Sequence, residues 1–223
     1  MTRTTNARIA GFTFLFYIVV GITGMMLLSQ ATRADGITAQ LATIAKHALQ
    51  LRLTLVSDVL QAVCAIVLGV TLYAITRDQD SDMALLALAF RVAEGLLGAV
   101  AARGTLELLW LGTVTGPRAP DAVTLQALGT YFLNRPNSNM PAIFFAMGST
   151  LFAYLMLRGQ TIPVPLAWLG VVASVLLVVG LPLQLAGFVS GAVASYLWIP
   201  MLAFEVPLAF WLLIKGVRIQ TNS

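Results

Sequence analysis

Cysteine and histidine are almost absent: Cys64 and His47 stand alone in 223 residues. An intrachain disulfide is therefore excluded, as are zinc and iron–sulfur sites built on several cysteines. Membrane enzymes that assemble a metal from several histidines are out of reach too. Charge is scarce. Asp, Glu, Lys and Arg make up 10% of the chain, against roughly 25% in a soluble domain. Hydrophobic residues make up 59%, against roughly 45–50%. So few charges cannot cover a water-facing surface, so a lipid bilayer must solvate most of the exterior. The formal charge of +4 arises from bases scattered through short loops, without a basic stripe. That argues for topology and headgroup contacts and against nucleic-acid binding.

What is present is a succession of long apolar runs. They lie near 9–28, 51–76, 83–113, 141–157, 165–189 and 195–215. At 1.5 Å per residue, each can cross a hydrocarbon core of about 30 Å. The expected fold is all-α: one transmembrane domain over residues 1–223, a bundle of about six membrane-spanning helices. The first run exceeds the roughly 7–15 residues of a signal-peptide core, so a retained helix is expected. Pro141, Pro163 and Pro165 sit at helix starts, where a missing N–H is harmless.

Two linking segments carry amphipathic stripes. Ile37, Leu41, Ile44 and Ala48 recur at helical spacing with Lys46 opposite. Leu125, Leu128 and Phe132 do the same after Asp121, an expected N-cap. Both read as outer, interfacial helices. Orientation follows from the basic residues. Arg3, Arg8, Arg77, Arg158, Lys215 and Arg218 fall in short segments on one side. Arg33, Lys46, Arg52, Arg118 and Arg135 are spread through longer segments on the other. The density places both termini in the cytoplasm.

Ionisable groups inside lipid rarely persist without a partner or a purpose. Arg91 and Glu94 are three apart and can pair on one helix face, with Gly95, Gly98, Ala102 and Thr105 nearby. Arg103 and Glu107 fall on a different face and read as an interfacial pair. Thr54, Asp58, Gln61, Ala65 and Gly69 form a stripe on the second run, where Asp58 is a candidate partner for an arginine. Glu205 lies near the middle of the last run, flanked by Pro200 and Pro207. Pro207 cannot donate to the Ala203 carbonyl, which is expected to leave that acceptor free beside the glutamate. Pro182 and Gln184 open the backbone of the fifth run similarly. The ligand-binding or proton-coupled candidates are thus Glu205, Arg91, Glu94, Asp58 and Gln61. No metal site is expected, and no cofactor is indicated. GFVSG at Gly187–Gly191 lacks the spacing of a nucleophile elbow, and no P-loop occurs.

Four segments carry a family resemblance. They are RIAGFTFLFYIVVGI (Arg8–Ile22), LALAFRVAEGLLGAV (Leu86–Val100), GSTLFAYLMLRGQTIPVPLAWLG (Gly148–Gly170) and FEVPLAFWLLIKG (Phe204–Gly216). In this order they resemble the bacterial membrane proteins of the DUF4386 type, a domain of unknown function. The resemblance implies a bacterial cytoplasmic membrane and supplies no catalytic residue. Three functions stay open. One is binding or transport of a small or lipophilic ligand at an intramembrane polar centre. Another is a membrane-embedded enzyme using carboxylates as acid and base. The third is a non-catalytic partner subunit. Whether the chain is an enzyme, and its oligomeric state, are left undecided by the residues.

Overall fold

The computed structural model describes residues 2–134 and 139–217. Arg135 and Arg218, both part of the charge count for topology, lie outside the described residues. The architecture is all-helical: α1 (Arg3–Thr32), α2 (Ile37–Lys46), α3 (Ala48–Thr76), α4 (Ser81–Ala101), α5 (Arg103–Thr113), α6 (Ala122–Asn134), α7 (Met140–Arg158), α8 (Val164–Leu185), α9 (Gly191–Tyr196) and α10 (Trp198–Ile214). A 3₁₀ turn, Gly116–Arg118, precedes α6.

Five segments are long and apolar enough to cross a membrane: Arg3–Thr32, Ala48–Thr76, Ser81–Thr113, Met140–Arg158 and Val164–Leu185. The last apolar helix, Trp198–Ile214, is shorter, spanning about 25 Å. Large apolar side chains such as Phe12, Val19, Met25, Val70, Leu96, Val175 and Ile214 are exposed, as expected of a surface solvated by lipid.

The helices depart from the apolar runs inside the third, the fifth and the sixth, the last being broken at Leu197, between α9 and α10. The third run is interrupted at Ala102, between α4 and α5. There the Thr105 amide donates to the Ala102 carbonyl at 3.1 Å, an i→i−3 bond that tightens the turn. The fifth run stops at Leu185, not Val189. Gly187 takes φ +82° and the Phe188 amide donates back to the Leu183 carbonyl at 2.9 Å, a glycine-ended helix stop. GFVSG is therefore the loop that ends α8.

Packing gathers the chain into two compact units. One comprises residues 1–17, 62–97 and 138–223; the other comprises 18–61 and 98–137. The first has an apolar core built from Phe14, Leu68, Ala87, Phe152, Leu177, Leu208 and their neighbours. α7 packs on α8, and α8 on α10. At Gly11 of α1 an added Cβ would lie 2.6 Å from the Ala209 carbonyl oxygen of α10, so only glycine permits that approach.

The second unit has a smaller core of Ala31, Ile44, Leu51 and Leu108. Here α2, α5 and α6 pack together. Leu41 and Ile44 are the buried stripe of α2, and Leu125, Leu128 and Phe132 are half-buried on α6. Both amphipathic helices therefore form where their periodicity indicates, with the apolar side inward. Asp121 caps α6, accepting from the Thr124 amide at 2.8 Å.

Candidate functional site

Three of the candidate residues are buried within the first unit. On α4 the inward face carries Ala84, Ala87, Arg91, Glu94 and Gly95, positions that recur at helical spacing. The i,i+3 offset brings Arg91 Nη1 to 2.9 Å from Glu94 Oε2. Both side chains are removed from the surface, at 1% and 4% exposure. Glu205, on the inward face of α10 with Met201, Phe204, Leu208 and Leu212, is 6% exposed.

The guanidinium is held between aromatic rings. Its central carbon lies 5.0 Å from the Phe145 ring centroid and 5.9 Å from that of Tyr17, within cation–π range. Phe145 itself stacks on Trp198 at 5.8 Å. The Tyr17 hydroxyl donates to Glu94 Oε1 at 2.9 Å, fixing that carboxylate from α1. Room for the arginine stem comes from two glycines. A Cβ on Gly69 would lie 2.9 Å from Arg91 Cβ, and one on Gly148 would lie 3.1 Å from Arg91 Cγ and Cδ. Neither position tolerates a side chain without displacing its neighbours.

The centre is polar yet poorly satisfied. Among the described residues, Arg91 Nε, Nη1 and Nη2, Glu94 Oε2 and Glu205 Oε1 are buried with no hydrogen-bond partner. The 2.9 Å contact of Arg91 with Glu94 is thus an ion pair without hydrogen-bond alignment. Glu205 lies within electrostatic range of Arg91 and Glu94, but forms no ion pair of its own among the described residues. Buried polar groups are ordinarily hydrogen-bonded, and low dielectric makes unsatisfied ones expensive. A planar guanidinium can offer five N–H donors. Here its donors and two carboxylate oxygens face one another's surroundings with their hydrogen-bonding capacity unspent.

The other candidates belong to the second unit. Asp58 accepts from the Thr105 hydroxyl at 3.2 Å, so its partner is a threonine and not an arginine. Gln61 packs over Gly21, where an added Cβ would lie 3.0 Å from its Oε1. Arg103 pairs with Glu107 at 3.0 Å, with Arg103 81% exposed. His47 ends α2 half-buried, its Nδ1 2.9 Å from the Thr43 carbonyl.

The carbonyl freed by Pro207 is not beside Glu205. Ala203 and Pro207 are exposed while Glu205 is buried, because a two-residue step turns a helix by about 200°. Gln184 has a partner, its Oε1 accepting from the Asn139 side-chain Nδ2 at 2.8 Å. No group of three or more His, Cys, Asp or Glu able to hold a metal occurs among the described residues.

Tyr17 and Phe145 complete the centre without having been marked as candidates. A tyrosine inside an apolar run reads equally as a headgroup anchor, and a phenylalanine gives no signal of the cation it will face.

No curated protein and no solved structure matches the chain. The sequence profile of DUF4386, a domain of unknown function, matches residues 9–216. That span takes in the second compact unit, most of the first and every residue of the Arg91 centre, and on it the chain belongs to the DUF4386 family.

Proposed function

We propose that this multi-pass membrane protein binds a small or lipophilic ligand at the intramembrane centre formed by Arg91, Glu94 and Glu205. The observation that carries the reading is the set of buried donors and acceptors there without partners. A centre whose only task was to lock helices together would close its hydrogen bonds, since a half-satisfied polar network is less stable than an apolar core. Tyr17 and Phe145 orient the ionic pair, while Glu205 approaches on a separate helix and remains available. A neutral Glu205 carboxyl can donate or accept a hydrogen bond, which suits either ligand binding or proton coupling. Asp58 and Gln61 enter this reading only as secondary candidates, since Asp58 is engaged within the second unit.

We propose separately, from the density of Lys and Arg in the short loops and the family resemblance, a bacterial cytoplasmic membrane with both termini inside. Reporter fusions at Asn6 and Asp121 should then report opposite sides, and an external signal at Asn6 would reverse the orientation.

A packing role is favoured by one observation, the aromatic sandwich around Arg91. The two readings separate by native mass spectrometry of protein purified in mild detergent. Binding predicts a co-purifying molecule in the wild type that is lost from Glu205→Leu while the variant remains folded. Wild-type protein without bound molecules, and a Glu205→Leu variant altered only in stability, would establish the packing role.

A further inference from the structure

We infer that the ligand of the Arg91 centre carries an uncharged head with an acceptor and a donor side by side, such as a carboxamide or a hydroxyl, on an apolar body. The inference rests on the ligand-binding reading above and narrows it to a chemical class.

Charge eliminates the alternatives. The Arg91 cation already has Glu94 at 2.9 Å. An anionic head would join two carboxyl groups around that single guanidinium, the one cation among the described residues that acts electrostatically on Glu94 and Glu205. A metal or alkali cation fares no better. Among the described residues, Glu94 Oε2 and Glu205 Oε1 are the buried side-chain oxygens without a partner, and the nearby guanidinium repels positive charge. Six or more oxygens surround a calcium ion and near-octahedral geometry a magnesium ion, far from what two carboxylate oxygens supply. The Ala203 carbonyl cannot add to them, since it lies on the exposed face of α10.

The unpartnered atoms themselves describe the complement. Arg91 Nε, Nη1 and Nη2 need an acceptor; Glu94 Oε2 needs a donor. Glu205 can serve as either once neutral. A carboxamide offers a carbonyl oxygen to the first and N–H groups to the second within one planar group. An uncharged head also reaches such a depth without the penalty that charge meets in hydrocarbon. The apolar body follows from the surroundings: α8 has no charged residue and α10 has only Glu205.

Three amphiphiles with the same twelve-carbon chain test the class: dodecanamide, dodecylamine and laurate. Each is added to the protein in lipid nanodiscs and the melting temperature is followed. Dodecanamide should raise it saturably, by roughly 5 °C at a hundredfold excess over Kd. The charged analogues should not. Glu205→Gln should retain the dodecanamide shift because the glutamine is neutral and still hydrogen-bonds. Glu205→Leu should lose it, and Arg103→Ala should leave it unchanged. A larger shift with laurate or dodecylamine, abolished in both Glu205 variants, would overturn the uncharged class while leaving the site intact. Loss of the dodecanamide shift in Glu205→Gln would do the same. A shift that survives Glu205→Leu, or no shift with any of the three, would overturn the inference; the co-purification result then decides separately whether the centre binds anything.

Discussion

Arg91 and Arg103 come from one apolar run, and each pairs with a glutamate on its own helix. Their circumstances are nonetheless opposite. Arg91 is 1% exposed, lies within cation–π range of two rings, and has no hydrogen bond from its guanidinium among the described residues; Arg103 is 81% exposed and donates from Nε to Glu107 at 3.0 Å. The contrast extends to their compact units. The first unit buries an ionic centre within its apolar core. The second keeps its charged groups toward its surface and supplies hydrogen-bond donors to them, to Asp58 from Thr105 on another helix and to Asp121 from Thr124 one turn on. Along the run that carries both arginines, the chain passes from the first unit to the second between Leu97 and Gly98, inside α4. The same residue types therefore carry different physical weight, and the first unit is where a polar ligand has something to gain.

The largest effect should come from removing a cation on each side of that contrast. Arg91→Met leaves Glu94 and Glu205 buried without positive charge, which typically costs about 3–5 kcal/mol. Thermal melting in detergent should show a severe loss, partly recovered by Glu94→Gln in the same chain. Arg103→Ala should stay within about 0.5 kcal/mol, since exposed pairs contribute little. Similar losses for the two arginines would erase the distinction.

Glycines sharpen the comparison. Gly69→Ala drives a Cβ to 2.9 Å from Arg91 Cβ and 3.0 Å from Leu88 Cδ1. Overpacking of this kind costs roughly 1–3 kcal/mol. Gly98, in the second unit, has no atom within 4 Å of its ideal Cβ. Gly98→Ala should therefore stabilise by roughly 0.5–1 kcal/mol, the gain from replacing a glycine inside a helix. Opposite signs in melting temperature are expected, and a loss at Gly98 as large as that at Gly69 would contradict the assigned packing.

A smaller effect belongs to the Asp58–Thr105 hydrogen bond. Thr105→Val removes the donor and keeps the shape. The loss should be about 0.5–1.5 kcal/mol, the ordinary net value of one hydrogen bond. Asp58→Asn should cost no more, because Asn Oδ1 still accepts from the threonine. A much larger loss in either variant would mean that the second unit, too, contains a strained ionic centre.

These contrasts were unevenly legible in the sequence. The three-residue spacing of Arg91 and Glu94, and a lone glutamate in an apolar run, announced the three residues that come together. Helical periodicity likewise announced α2 and α6, and Asp121 as the cap. Other features depend on geometry that periodicity does not carry. Charge matches Asp58 to an arginine, but a hydroxyl 47 residues away in sequence, on a separate helix, supplies its bond. The interruption at Ala102 has no proline to mark it; a tightened turn suffices. Proximity in sequence puts Pro207 beside Glu205, whereas the helix turns the two to opposite sides. Tyr17 joins the centre only because α1 packs there, a tertiary fact that no local pattern encodes.

The smallest expected effect tests the local end of the comparison. Asp121 caps α6 from a fully exposed position, accepting from the Thr124 amide at 2.8 Å and from its hydroxyl at 3.0 Å. Those donors hold its carboxyl below the usual carboxylate range, because they favour the ionised form. The sign follows from linkage. A group whose folded-state pKa is depressed contributes stability that is fully present above its unfolded pKa, near 3.9, and is lost as pH falls through the folded value. Capping should therefore be complete at neutral pH and should fade only below about pH 4. Hydrogen exchange at the first turn of α6 would show it: protection of the Thr124 amide should fall in acid and in Asp121→Ala at neutral pH. Asp121→Asn keeps an acceptor, so it should preserve most of that protection and remove the acid dependence. The change should stay confined to α6, leaving the Arg91 centre and the melting temperature of the first unit untouched. An acid transition that persists in Asp121→Asn would assign the effect to another carboxyl group and remove Asp121 as the cap that senses it.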